Sequence, residues 1–247
     1  VYSDTSVYDA TQERLQYIFD NFDNVLVAFS GGKDSGVLLN LAYDYAKSRG
    51  VLGKLAMYHL DYEAQYTETT KYVTECFESY PGIKKMWFCM PVTVPCAVSV
   101  TESYWIPWDP NKKEIWAREM PNNEHVVNID NAPFKLIPGT ADYTFQSDLN
   151  EWFADTYGST AVLIGIRTDE SLNRYRAIAS DKKVHTYKDK LYLVGNERVC
   201  NAYPIYDWSV DDIWIANAKF GYTYNKLYDL MYQAGLTIHQ MRVASPF

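Results

Sequence analysis

The hexapeptide Ser-Gly-Gly-Lys-Asp-Ser at residues 30–35 constrains the fold of this chain more than any other feature. An apolar run at residues 25–29 precedes it, and apolar side chains recur at helical spacing after it, up to Gly50. This order predicts a strand, a tight turn and a helix. The two glycines let the backbone bring its N–H groups close to an anion, and the helix points its positive end at the same place. We therefore expect the turn to bind phosphate or pyrophosphate.

The spacing within this turn differs from that of two other phosphate-binding motifs. The segment has neither the G-x-x-x-x-G-K-[ST] pattern of a Walker loop nor the G-x-G-x-x-G pattern of a dinucleotide fold. The alternative is a turn that only links a strand to a helix, with Lys33 and Asp34 as solvated charges. The apolar strand before the turn and the amphipathic helix after it favour the phosphate-binding interpretation.

Strands and helices alternate along the first third of the chain. The predicted elements are helices at residues 11–20, about 36–49 and 67–79, and strands at residues 25–29, 54–60 and 84–89. Alternation at this spacing predicts right-handed crossovers and a parallel sheet flanked by helices, which is an α/β fold. Ligands of such sheets bind beyond the carboxyl ends of the strands, and the hexapeptide lies at that edge.

The pattern breaks down over about residues 91–142, where prolines are frequent and no period is sustained. We interpret this stretch as an irregular insertion in a single α/β domain that covers residues 1–247. The remaining predictions are a helix at residues 143–157, a strand at 161–166, a hairpin at 183–194 with its turn near Asp189, and a helical C-terminal part at about 207–236. Ser209 and Asp212 fit a capping box at the start of that part.

The composition excludes several classes of protein. The chain has 23 Lys and Arg against 31 Asp and Glu, a formal charge of −8, and no local basic patch, so we expect no direct binding of nucleic acid. No apolar run approaches the ~20 residues of a membrane span, and the first residues lack a signal-peptide pattern, which together predict a cytoplasmic protein without membrane contact. The four cysteines include no C-x-x-C pair, so neither a disulfide scaffold nor an iron–sulfur cluster is predicted.

Three segments, taken in order, resemble a known family. VLVAFSGGKDSGVLL resembles the PP-loop of the adenine-nucleotide alpha-hydrolase-like superfamily, which includes ATP pyrophosphatases and phosphoadenosine phosphosulfate (PAPS) reductases. GIRTDESLNRYRAI is similar to the Gly-x-Arg block of PAPS reductases, and YPIYDWSVDDIWIANAKFGYTYNKLYDLMYQAGL is similar to their Asp-Trp and Asn…Leu-Tyr block. The chain resembles most a PAPS-reductase-like subgroup of sulfurtransferases or co-regulators that occurs beside a ParB/sulfiredoxin-like protein.

The resemblance implies a Rossmann-like sheet that binds ATP or PAPS. In the family the PP-loop holds the phosphates, which implies this role for Ser30, Gly31, Gly32, Lys33, Asp34 and Ser35, with Asp34 also a candidate Mg²⁺ ligand. The family's adenine lies against the end of the second strand, here His59, Leu60 and Asp61. The Arg of the Gly-x-Arg block maps to Arg167 and contacts phosphate or sulfate, with Arg174 and Arg176 as further candidates. Lys33, Asp34 and Arg167 are the implied catalytic residues.

Two interpretations of the function stay open at this point. The first is an enzyme that uses PAPS for sulfonucleotide reduction or sulfur transfer, or ATP for adenylation of an acceptor. The second is a non-catalytic nucleotide-sensing co-regulator that acts through the ParB-like partner, because the Glu-Cys-Gly-x-His segment of assimilatory PAPS reductases is not present in the sequence. Cys200 is interpreted as a small core residue. Asp61 and Glu63 are expected equally to be turn carboxylates or to bind ribose hydroxyls or a metal. For Trp105, Trp108 and Trp116, packing inside the insertion is favoured over a stacking surface for a base.

Overall fold

A computed structural model describes residues 4–179 and 186–243 of the chain, and a seven-stranded sheet is its central element. The strands in these residues are β1 (Asn24–Ala28), β2 (Leu55–Leu60), β3 (Lys84–Cys89), β4 (Val94–Pro95), β5 (Tyr104–Trp105), β6 (Val126–Asn128), β7 (Thr160–Ile164), β8 (Leu193–Gly195) and β9 (Val199–Ala202). Strands β4 and β5 form a separate ribbon. The others form the sheet in the order β6-β3-β2-β1-β7-β9-β8.

The helices follow the predicted alternation. They are α1 (Val7–Asn21), α2 (Lys33–Ser48), α3 (Thr67–Ser79), α4 (Asp142–Tyr157), α5 (Leu172–Ala179), α6 (Val210–Phe220) and α7 (Leu227–Gln233). The predicted capping box at Ser209 is confirmed, since its hydroxyl accepts from the N–H of Asp212 while the Asp212 carboxylate accepts from the N–H of Ser209. Across the described part of the chain, no helix combines the length and the apolar character that a membrane crossing requires.

The sheet is parallel except for β8, which pairs antiparallel with β9 at one edge. From β1 the chain builds outward through β2, β3 and β6, and it then returns to the other side of β1 with β7 and β9. The direction of growth therefore reverses between β1 and β7. Ligands of open α/β sheets bind at such a reversal, beyond the carboxyl ends of the strands. The hexapeptide follows β1 directly, so the predicted α/β fold places it at this point.

The two faces of the sheet are covered unequally. One face packs against α1, α2, α3 and α6 through a single large apolar cluster. The other face packs against α4 through Phe145, Leu149 and Phe153. A helix is about 10 Å wide and strands lie about 4.8 Å apart, so one helix covers roughly two strands. The insertion adds Leu136 to the packing on this face, and a cavity remains beside α4 at Ile164, the end of β7.

Two elements differ from the sequence-based expectations. Part of the predicted insertion returns to the sheet as β6, which pairs in parallel with β3 through Trp87 and Val126. The sequence signal for this strand is a pair of adjacent valines, and two residues are too few to show a strand periodicity. The predicted hairpin at 183–194 begins outside the described residues; within them, Thr186 bridges Val194 across a turn at Tyr187–Asp189. The longer antiparallel pairing joins β8 to β9.

Replacement of Phe145 tests the packing of α4 on the sheet. Phe145 is fully buried and packs edge-on against Phe88 of β3. We expect Phe145→Ala to lower the free energy of unfolding by about 4 kcal/mol, because it leaves a cavity under the helix. The matched control is Tyr143→Ala on the same helix, whose ring is 74% exposed and whose removal should cost less than about 0.5 kcal/mol. Equal urea midpoints for the two variants would contradict this account of the packing.

Candidate functional site: the loop after strand β1

The loop between β1 and α2 turns at Gly31. Gly31 has a φ of +78°, and a Cβ at this position would lie 3.0 Å from methyl groups of Thr69 and Val73 on α3. A glycine therefore satisfies both the backbone conformation and the close contact with α3. Gly32 is the residue before the first turn of α2, so the free N–H groups at the helix start face the loop.

The two serines of the hexapeptide close the loop on itself. The Ser35 hydroxyl accepts a hydrogen bond from the Ser30 N–H at 3.2 Å, and the two hydroxyl oxygens lie 2.9 Å apart. These bonds hold residues 30–35 in a compact ring at the start of α2. Such a ring of N–H and O–H donors is suited to oxyanions.

Gly165 brings β7 into contact with the same helix start. A Cβ on Gly165 would lie 2.9 Å from the backbone nitrogen of Ser35 and 3.1 Å from the carbonyl carbon of Asp34. Only a glycine allows this approach, because the neighbouring atoms belong to the backbone and cannot rotate away. The sequence analysis quoted Gly165 as part of the Gly-x-Arg block and gave it no role of its own.

The third motif supports the loop from the C-terminal part. Asn225 is fully buried, and its Nδ2 donates to the carbonyl of Gly31 at 3.0 Å and to the hydroxyl of Thr69 at 2.9 Å. The hydroxyl of Tyr228, at the start of α7, accepts from the N–H of Lys33 at 3.0 Å. Sequence reasoning recognised this segment but assigned no function to Asn225 or Tyr228. The only signal was their membership of the motif.

Two cations meet one carboxylate beneath the loop. Arg167 is 3% exposed, and its Nε donates to Asp34 Oδ1, while Lys33 Nζ lies 3.2 Å from Asp34 Oδ2. Arg167 Nη1 also contacts the carbonyl of Trp208 at 3.3 Å and the half-exposed carboxylate of Asp169 at 3.5 Å. The buried charge is thus predominantly positive, and together with the helix dipole it favours an anion at the loop.

The same contacts bear on the predicted magnesium site. Each oxygen of Asp34 already faces a cation, an arrangement that does not fit a Mg²⁺ ligand. Within residues 4–179 and 186–243, no group of three or more His, Cys, Asp or Glu side chains is arranged to hold a metal ion. The groups that the loop presents to an anion are therefore the N–H groups at the start of α2 and the neighbouring cations.

A cavity of about 510 Å³ lies over the loop. The residues 30 and 32–35 line it together with Gln146, Gly165 and Arg174. Arg174 pairs with Glu170 at 3.0 Å, so the charge of its guanidinium is partly neutralised. Arg176 is exposed and does not line the cavity. Lys33 Nζ also donates to the carbonyl of Met241 at 3.3 Å, which places the C-terminal segment across the loop.

His59, Leu60 and Asp61, the three residues predicted to lie against the adenine, have different surroundings in the structure. Leu60 lines a cavity of about 190 Å³ beside Ser30, Tyr62 and Thr69. His59 is buried beneath this cavity, its Nδ1 lies 2.8 Å from the carbonyl of Phe29, and burial lowers its pKa. His59 is therefore neutral and belongs to the core. Of the three, only Leu60 lines a cavity beside the loop.

Asp61 instead anchors the insertion. Arg118 Nη2 donates to both carboxylate oxygens of Asp61, and Trp87 Nε1 donates to Oδ2 at 2.8 Å. The neighbouring Glu63 accepts from the backbone N–H of Trp108 at 2.6 Å. Both carboxylates are buried, so they hold the residues around Trp108 against the end of β2. The interpretation of Trp108 and Trp116 as packing residues agrees with their rings, which meet edge to face at 5.1 Å.

Three of the cysteines are buried and unreactive. Cys76, Cys89 and Cys200 are at most 1% exposed. Burial raises the pKa of the Cys76 and Cys200 thiols to about 12, and it raises the pKa of the Cys89 thiol further. These thiols are protonated at neutral pH and are poor nucleophiles. The interpretation of Cys200 as a core residue agrees with this burial.

A family model and a curated relative cover the loop and both supporting motifs. The model of the phosphoadenosine phosphosulfate reductase domain matches residues 24–234. The chain belongs to this family. A protein of Escherichia coli strain K12 named YbdN is 35% identical over 246 residues, which are 98% of this chain and 59% of YbdN. The chain thus spans about three fifths of that relative.

Solved structures with a similar fold include three enzymes. A phosphoadenylyl-sulfate (PAPS) reductase from Candida auris, in a phosphate complex, has a TM-score of 0.48 at 14% identity and covers 96% of this chain and 88% of its own. An FMN adenylyltransferase from Candida glabrata has a TM-score of 0.46 at 13% identity, with 92% and 62% covered. An NH3-dependent NAD synthetase from Campylobacter jejuni has a TM-score of 0.46 at 7% identity, with 94% and 80% covered.

The approach of β7 to α2 in this PAPS reductase family member is tested by Gly165→Ala. The added methyl group would lie 2.9 Å from the Ser35 nitrogen, so we expect a loss of about 2 kcal/mol in unfolding free energy and a weaker affinity for nucleotide. The control is Gly53→Ala, where no atom lies within 4 Å of the new Cβ. Guanidinium unfolding and nucleotide titration measure both effects. Identical behaviour of the two variants would show that the contact at Gly165 does not shape the loop.

The anchoring role of Asp61 is tested by Asp61→Asn. We expect unfolding free energy to fall by about 2 kcal/mol, less than for a fully buried pair because Arg118 is partly solvated. Nucleotide affinity should stay unchanged in the folded variant. The control is Asp130→Asn, an exposed carboxylate near the same insertion. A folded Asp61→Asn protein that no longer binds nucleotide would instead assign this carboxylate to the nucleotide site.

Proposed function

We propose that this chain is an adenine-nucleotide-dependent enzyme that binds ATP at residues 30–35 and adenylates an acceptor. The observation that carries the proposal is the pair of cavities that meet at Ser30. The smaller one, beside Leu60, suits a base, and the larger one surrounds the start of α2 and suits phosphates. A nucleotide that spans Ser30 would fill both.

The groups around the loop match the chemistry of adenylation. An acceptor oxygen attacks the α-phosphorus of ATP, the bond from that phosphorus to the bridging oxygen breaks, and pyrophosphate leaves. Negative charge builds up on the pyrophosphate during this step. The N–H groups at the start of α2 and the ammonium of Lys33 are arranged to stabilise that charge. Arg167 orients the loop through Asp34 rather than by free contact with the nucleotide.

PAPS is the second nucleotide to consider. Sulfonucleotide reduction needs a thiolate to attack the sulfonate, and sulfur transfer likewise needs a sulfur nucleophile. Cys76, Cys89 and Cys200 are buried with raised pKa values, so they do not supply one. The fourth cysteine, Cys96, is half-buried but does not line either cavity at the loop, so with PAPS an external thiol would have to enter. ATP is the better match to the groups that line the site.

One contact favours a sensing role as the second candidate function. Lys33 Nζ donates to the carbonyl of Met241, and Tyr228 accepts from the Lys33 N–H, so bound phosphate would compete with the C-terminal segment for this lysine. Movement of that segment could signal the nucleotide to a protein partner, such as the ParB-like protein of the resembled subgroup. Steady pyrophosphate release by the protein with such a partner would rule out a purely sensing role.

The loop assignment is tested by Lys33→Ala and Gly32→Val. We expect both variants to lose nucleotide binding. The first removes a cation. In the second, a Cβ alone would just touch the Ser30 and Tyr228 hydroxyls, at 3.4 and 3.6 Å, and the γ-methyl groups of valine extend beyond it into the loop. The control is Lys47→Ala, an exposed lysine in the last turn of the same helix. Calorimetric titrations use ATP and PAPS, each with and without Mg²⁺. Unchanged affinity in folded Lys33→Ala and Gly32→Val proteins would refute the loop assignment, and a preference for PAPS would refute adenylation.

A further inference from the structure

A second cavity, of about 450 Å³, adjoins the cavity over the loop on the α4 face of the sheet. The two cavities share two lining residues, Gln146 of α4 and Ile164 at the carboxyl end of β7. This cavity lies between one side of α4 and the strands β7, β8 and β9. Its volume is within the range of about 300–1,000 Å³ that is typical of small-molecule sites. We call it the amide groove.

Three carboxamides give the groove its name. Gln146 and Asn150 lie one turn apart on α4, and Asn201 lies on β9. The Oδ1 atom of Asn150 is buried and has no hydrogen-bond partner among the described residues. The Tyr58 hydroxyl donates to Gln146 Oε1 at 3.4 Å. This bond uses the amide oxygen of Gln146, so the amide nitrogen is the atom that would donate to a ligand. An unpaired buried amide oxygen costs free energy unless a ligand or water satisfies it.

The other walls of the groove are apolar or neutral. Ile164, Val194 and Val199 form an aliphatic floor on the sheet. The one carboxylate in the lining, Glu151, pairs with Arg198 at 3.0 Å. Burial raises the pKa of the Tyr58 phenol, so this group is an uncharged donor. Among the described residues that line the groove, a charged ligand would find no free opposite charge, whereas a flat neutral molecule would meet an apolar face and a row of amides.

We infer that the amide groove binds the acceptor substrate, a neutral planar heterocycle with adjacent hydrogen-bond donors and acceptors, as in a pyrimidine or guanine base. Carboxamides offer a donor and an acceptor side by side, which matches the edge of such a ring. The shared wall at Gln146 and Ile164 puts this ring next to the phosphates of a nucleotide held at the loop. The inference rests on the proposed function, which supplies the nucleotide for the acceptor to attack.

The experiment uses uridine, cytidine and guanosine as probes. Each is titrated calorimetrically into the protein saturated with the ATP analogue AMPCPP, which occupies the loop and prevents binding of the probe at the adenine site. We expect at least one probe to bind. Asn150→Leu and Asn201→Leu keep the side-chain shape and remove the amide, so each should weaken that probe about tenfold while AMPCPP affinity changes less than about twofold. Asn122→Leu, an exposed amide outside the groove, is the control.

A second variant keeps the test decisive if the leucine variants do not fold. Ser147 is exposed on α4 and lines the groove, so Ser147→Phe should fill the groove and abolish probe binding. Asp148→Phe adds the same ring at the next exposed position, which is not among the lining residues, and should leave probe binding unchanged. Equal probe affinity in the two phenylalanine variants would overturn the inference.

The outcomes separate this inference from the proposed function. Binding of AMPCPP without binding of any probe overturns the amide groove as a heterocycle site and leaves the nucleotide loop intact. Failure to bind AMPCPP contradicts the proposed function, and uridine and cytidine titrated alone then decide whether the groove takes a heterocycle independently. Probe binding that Asn150→Leu, Asn201→Leu and Ser147→Phe all leave unchanged in folded proteins would assign the probe to another surface.

Discussion

The buried ion pair between Arg167 and Asp34 is the contact on which the site depends. It joins the loop after β1 to the segment after β7, and these are the two strands between which the sheet reverses its direction of growth. Breaking such a pair leaves an uncompensated buried charge, so both partners are held in place. Gly165 lets the two segments approach until backbone meets backbone. The loop is therefore shaped by its neighbour across the sheet as much as by its own glycines.

The third motif supports the loop from a different direction. Asn225 holds the carbonyl at the turn, and Tyr228 accepts from the first helical N–H. Asn225 lies in the connection between α6 and α7, and Tyr228 lies at the start of α7, almost two hundred residues along the chain from the loop. This explains why the resemblance extends over three separate segments: each contributes contacts to one small volume. The C-terminal segment also reaches the loop, because Lys33 donates to the carbonyl of Met241.

Neighbouring residues at the carboxyl end of β2 face different parts of the structure. Leu60 faces the cavity beside the loop, whereas Asp61 and Glu63 turn to Arg118 and Trp108 and hold the insertion in place. Adjacent residues at one strand end thus serve different purposes, since successive side chains of a strand point to opposite faces. A further cavity next to the loop lies between α4 and the strands β7, β8 and β9.

The sequence by itself determined the α/β class, the order of most strands and helices, and the tight glycine turn between a strand and a helix at residues 30–35. These depend on local periodicity and on the conformational freedom of glycine, both of which can be recognised in a short window. The sequence did not reveal β6 or the β8–β9 pairing, because these strands are short and are stabilised by neighbours distant in the chain. It also could not tell that Arg167 pairs with Asp34, that Asp61 anchors the insertion, or that Asn225 and Tyr228 support the loop. Burial and the identity of a charge partner are properties of the packed chain, so only the tertiary structure decided them.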